Sequence, residues 1–245
     1  MPHIFRLLTL GLTLLVTSCF EVREEIWIDA RGGGRMQMDY SLPRAVVTPL
    51  GGEAGIREQV DELLREAPEL RLDELVVTHE DDQILIHAEL STDSMFSLLD
   101  LSESAAVEGL PDAALKLIGE FEFQREGTDI TFARKVDVGS ALGLAAMMIP
   151  KAEKAERRMT YIIHLPTAAN VHSADRTEDE GRTLIWDKTL GEAMGEPMLM
   201  TFTAPIPLPW GWIAAAMIII MAIPVFAIRR WRKRAAIRKI STTAT

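Results

Sequence analysis

Trp210 to Ile228 is a run of 19 residues without a charged side chain, and Arg229-Arg230-Trp231-Arg232-Lys233-Arg234 follows it directly. A run of this length crosses the roughly 30 Å hydrocarbon core of a bilayer as one helix. The spacing therefore predicts a transmembrane helix over 210–228, with Pro224 as a kink of the kind membrane helices tolerate. Clustered Lys and Arg mark the cytoplasmic flank, which turns 229–245 inward and everything upstream outward. Trp210 and Trp212 suit the outer interface. Arg229, Arg230, Trp231, Arg232, Lys233 and Arg234 suit the inner one. Three prolines over 205–209 predict an extended spacer ahead of the span.

The other end carries a second address. Arg6 precedes an apolar stretch from Leu7 to Val16, and small or polar residues lead to Cys19. That is the shape of a secretory signal over 1–18. Val16-Thr17-Ser18-Cys19 resembles a bacterial lipobox, which makes Cys19 the expected lipid attachment site. Acyl chains there would insert at about 0.8 kcal/mol per buried methylene. Cys19 is also the sole cysteine, so no disulfide can form within the chain and the domain over 19–204 must stand on its core. The expected location is the bacterial cytoplasmic (inner) membrane, lipid-anchored and single-pass, with the main domain on the extracytoplasmic side.

All 36 acidic residues lie between Cys19 and Trp210, against 18 of the 26 basic ones, so that region carries a formal −18 beneath an overall −10. Such a domain repels phosphate backbones, which argues against nucleic acid as a partner. The expected partners are membrane lipids and, as a second candidate, an envelope protein.

Between the two ends the pattern is mostly period two. Val22, Glu24, Ile26 and Ile28 alternate with Arg23, Glu25, Trp27 and Asp29, then Gly32-Gly33-Gly34 turns into Met36, Met38 and Tyr40, a β-hairpin. Ile56, Val60, Leu63, Leu64 and Ala67 form a helical stripe stopped by Pro68. A second hairpin turns at Asp81-Asp82, which pairs position 79 with 84. A third is expected from a strand over 115–124 and its return through Ile130, Phe132, Val136 and Val138. Strands are also expected at 159–165, 183–187 and 198–204. The predicted fold class is α+β: a mostly antiparallel sheet built from hairpins, one main amphipathic helix, and the single C-terminal transmembrane helix.

No catalytic constellation is evident, and no metal or cofactor is expected. His79 and His87 flank one turn out of register, Glu120 and Glu122 read as the wet face of a strand, and neither pair has an identifiable partner. The uncharged stretch 140–150 has two readings: a buried helix, or a lip touching lipid or a hydrophobic ligand. On the second reading Leu142, Leu144, Met147, Met148 and Ile149 are the candidate contacts.

A strand ending in Leu165-Pro166, a polar loop with Ala174 and Asp175, then Gly181, Thr183, Leu184 and Trp186 before a closing strand, with Tyr161 upstream, resembles the LppM-type bacterial envelope lipoproteins. The resemblance implies an envelope-facing α+β domain that interacts with lipid or glycolipid and has no catalytic residues. The expectation is a non-enzymatic, doubly anchored envelope lipoprotein. The alternative is an assembly or signalling protein whose basic tail engages a cytoplasmic partner.

Overall fold

The computed structural model describes residues 20–48, 51–95, 112–143 and 145–206, all within one compact unit that ends at Ile206. Eleven strands run in chain order: β1 (Glu21–Ile28), β2 (Gly34–Pro43), β3 (Leu70–Glu80), β4 (Gln83–Thr92), β5 (Glu120–Glu126), β6 (Asp129–Val136), β7 (Arg158–His164), β8 (Val171–His172), β9 (Arg176–Glu178), β10 (Thr183–Thr189) and β11 (Met198–Pro205). Among the described residues seven α-helices are interspersed, α1 (Arg44–Val47), α2 (Gly52–Glu66), α3 (Asp112–Ile118), α4 (Val138–Leu142), α5 (Ala145–Met148), α6 (Lys151–Glu156) and α7 (Leu190–Gly195), with a 3-10 turn at Asp179–Gly181.

The strands form two sheets, ordered β3-β4-β2-β1-β7-β10-β9 and β5-β6-β11-β8. The three expected hairpins are present. Period-two burial decides the facing: Val22, Tyr161, Ile163, Leu184 and Trp186 of the large sheet pack against Val136, Met198, Met200, Phe202 and Ala204 of the small one. The stripe over 56–67 is α2, and Ile56 lies against a small cluster of Val47, Val77 and Ile84.

One ion pair sits inside this core. Glu24 on β1 and Arg134 on β6 are 4% and 5% exposed, and the guanidinium reaches both carboxylate oxygens, with Nη2 3.2 Å from Oε1. Arg134 Nε also donates to the Ile118 carbonyl at 2.9 Å, and Tyr40 Oη donates to Glu24 at 2.7 Å. The Phe121 and Tyr161 rings flank the guanidinium at 4.9 and 5.0 Å. Burial opposes the Arg134 charge, but Glu24 outweighs it and holds the Arg134 pKa above its ordinary value. Burial and the Glu24 carboxylate likewise push the Tyr40 phenol well up.

Four expectations need correction. The sheet is not simply a row of hairpins, because β1 and β7 pair in parallel across the middle of the chain. The strand expected over 115–124 starts only at Glu120. Residues 112–118 are helical, and Gly119 (φ +89°) ends α3 because a Cβ there would lie 2.6 Å from the Lys135 carbonyl oxygen. Val138, expected on a strand, opens α4 behind an Asp137 cap. Finally, the fold class is corrected to an α+β domain of two sheets without the transmembrane helix. Among the described residues no helix is long and apolar enough to cross a membrane, since the 15-residue α2 spans only about 22 Å and is amphipathic. The expected span over 210–228 lies outside the described residues, as do Trp210, Trp212 and Arg229–Arg234.

Removing one member of a buried pair leaves the other charge without a partner. Arg134→Met should lower unfolding free energy by about 3–5 kcal/mol, and the double change Glu24→Leu/Arg134→Met should recover most of that loss. Urea denaturation of the three variants measures both quantities.

Candidate functional site

Cys19 itself lies outside the described residues, but its neighbour does not. Phe20 is 1% exposed and belongs to the main core cluster. The residue bonded to the cysteine, one Cα step of about 3.8 Å away, is therefore part of the packed interior. β1 follows at once and lies between β2 and β7 in the large sheet. The parallel register pairs Val22 with Met159. Two residues back along each strand, Phe20 comes level with Arg157.

That end of the sheet is closed by short helices, each with its own local signal. Asp137 caps α4, accepting from the Ser140 amide at 2.9 Å and its hydroxyl at 2.7 Å. These bonds hold the Asp137 carboxyl below its usual range. Gly143, left-handed at φ +51°, ends α4. Pro150 precedes α6, which runs into β7. Thr189 and Glu192 form a capping box at the start of α7, with Thr189 N 2.8 Å from the Glu192 carboxylate. Leu190, fully buried, donates its amide to the Arg157 carbonyl at 2.8 Å and ties α7 to the start of β7.

The candidate lip residues fall on different sides of this closure. Leu142 is buried in the core and Ile149 is half-buried against it, whereas Met147 is 81% exposed. Leu144 and the Met148 side chain lie outside the described residues. Ala146, not singled out from the sequence, is the buried residue of α5. Among the described residues the stretch buries Leu142 and Ala146 and leaves Met147 in solvent.

Charge distinguishes this end as well. The 151–158 run carries Lys151, Lys154, Arg157 and Arg158 against Glu153 and Glu156, with Asp187 and Glu192 beside Arg158. Arg158 pairs with Asp187 at 2.7 Å and, by that bond, draws the Asp187 carboxyl below its usual range. Two recesses form elsewhere, of about 10 and 20 Å³, room for one water at most. Leu142, Met147 and Ile149 line neither of them.

Phe20 and the 151–158 run could not be joined from sequence, because 130 residues separate them and only the parallel β1–β7 register brings them together. Tyr161, Leu184 and Trp186, singled out in the sequence, are core residues, and Trp186 Nε1 donates to Ser173 Oγ at 3.1 Å. Asp175 reaches Lys188 at 2.5 Å. The motif is thus a packed strand-and-loop unit around β7 and β10.

Comparison with known proteins gives one kind of match. No protein-family model matches the chain, and no curated protein does. Among solved structures, the chain is similar to the folded domain of Mycobacterium tuberculosis LppM determined by NMR, at 12% identity and a TM-score of 0.47, covering 80% of this chain and 94% of that one.

The burial contrast is directly measurable. Leu142→Ala should destabilise the protein by about 2–5 kcal/mol, while Met147→Asp should fall within about 0.5 kcal/mol of the parent. Chemical denaturation of each variant checks the difference.

Proposed function

We propose that this chain is a lipid-anchored envelope protein, lipidated at Cys19, whose extracytoplasmic domain acts by binding at the membrane surface rather than by catalysis. One observation carries the reading: the core begins at Phe20, so a lipid on Cys19 has no tether and would set the α4–α7 end of the large sheet against the bilayer.

The surface of that end fits the role. Burying the exposed Met147 in lipid is worth about 1–2 kcal/mol, and each basic residue near an anionic surface adds about 1 kcal/mol. Both are small beside the insertion of acyl chains at about 0.8 kcal/mol per methylene. The lipid holds the protein to the membrane, and Met147 with the 151–158 basic run orients it. A lipid or glycolipid headgroup, or an envelope partner, is then bound by a domain that is already docked.

The test is metabolic labelling of the full-length protein with an alkyne fatty acid in a bacterial host, followed by membrane fractionation. The wild-type chain should incorporate the label and Cys19→Ala should not. An unlabelled wild-type chain would overturn the proposal.

A further inference from the structure

On the β1–β7–β10 side of the large sheet's outer face, charges are paired. Glu25 is shared between Arg23 at 2.7 Å and His164 at 2.8 Å, and Asp187 is held by Arg158. The β2–β4–β3 side of the same face departs from this rule. β3 shifts register between Leu72 and Glu74, a bulge that sets Glu74 directly opposite Glu89 of β4. Two carboxylates facing each other across a strand pair repel. Among the described residues neither forms an ion pair with Lys or Arg. The nearest charge-bearing partner is His87, two residues from Glu89 on the same face, with Nε2 3.7 Å from Glu89 Oε1.

His87 is also oriented from behind. Its Nδ1 lies 2.6 Å from Asp39 Oδ1 on β2, the residue paired with it in the ladder. Asp39 holds Nδ1, and Nε2 is the ring atom that faces Glu89. Protein metal sites fix an imidazole ligand in this way. The Asp39 bond raises the His87 pKa, so a metal binding there displaces a proton. One donor atom each from Glu74, His87 and Glu89 lies within 4.8 Å of the others, and rotamer adjustment of exposed glutamates closes that spread to coordination distance. A neutral imidazole with two carboxylates matches the charge of a divalent ion. The nitrogen donor favours zinc and its first-row neighbours over calcium or magnesium. A recess of about 20 Å³ lined by Glu89, Asp73, Arg35 and Trp27 lies beside Glu89.

We propose that Glu74, His87 and Glu89 form a divalent transition-metal site on the open face of the large sheet, with Asp39 as the residue that positions His87. Three protein ligands leave coordination positions for water or for an oxygen-bearing group of a bound partner. The site explains why a bulge places like charges opposite each other, an arrangement that costs stability unless a cation sits between them. It stands independently of lipidation at Cys19.

The experiment is titration of the purified full-length protein in detergent micelles with Zn²⁺ by calorimetry, and with Co²⁺ by visible absorption. One Zn²⁺ per chain should bind, and Co²⁺ should give ligand-field bands of mixed nitrogen and oxygen coordination. His87→Ala and Glu89→Gln should each weaken binding by more than the roughly 10–100-fold that changes in supporting residues cause. Asp39→Asn should weaken it by about 10–100-fold with the metal-free melting temperature unchanged. His79→Ala, which removes the exposed histidine beside Glu53, should leave binding intact. Absence of stoichiometric binding, or binding that survives His87→Ala and Glu89→Gln in proteins with native circular dichroism, would overturn the assignment.

Discussion

The Glu24–Arg134 pair is the constraint from which the rest of the architecture follows. It joins β1 of one sheet to β6 of the other in an interior otherwise filled by Met, Leu, Ile, Val and aromatic side chains. A buried charge pair does not by itself make a fold more stable than an apolar one would be. It does penalise alternatives, because any arrangement that separates the partners leaves a bare charge in a low-dielectric interior. The Ile118 carbonyl, the Tyr40 hydroxyl and the Phe121 and Tyr161 rings complete the shell around it. The pair thereby fixes which faces of the two sheets meet.

With those faces fixed, the two surfaces of the large sheet acquire different roles. The inner face is core. The outer face keeps its charges in solvent, where Trp27 lies between Arg35 at 4.0 Å and His164 at 5.1 Å. The parallel β1–β7 pairing adds direction, since it places the residue after Cys19 at the same end as α4, α6 and α7. Phe20, the exposed Met147 and the 151–158 run then share one end of the large sheet.

Local elements were legible in the sequence where one periodicity ruled them. Val22 to Ile28 and Met36 to Tyr40 alternate cleanly and are β1 and β2. The 56–67 stripe is α2, and the two-residue turn at Asp81-Asp82 does pair His79 with Ile84. Period two misled at 115–118, where Leu115 and Leu117 alternate with Lys116 yet lie on a helix that Gly119 ends. Long-range pairing left no local trace. Glu24 read as a strand residue on an apolar face, but nothing near it in sequence pointed to Arg134, 110 residues on. Likewise the sequence sets His87 beside His79 alone, because the bulge that brings Glu74 opposite Glu89 has no sequence signature of its own. The terminal expectations, Cys19 at one end and 210–228 at the other, rest on residues outside those described.

Depth in a bilayer reads out the proposed orientation of the domain. With Cys19 acylated, a cysteine introduced at Met147 or at Arg31, in the turn at the far end of β1, takes a single environment-sensitive fluorophore. In lipid vesicles carrying headgroup and acyl-chain quenchers, the label at 147 should be quenched and the label at 31 should not. Equal quenching at both positions, or quenching at 31 alone, would contradict a domain held with its α4–α7 end against the membrane.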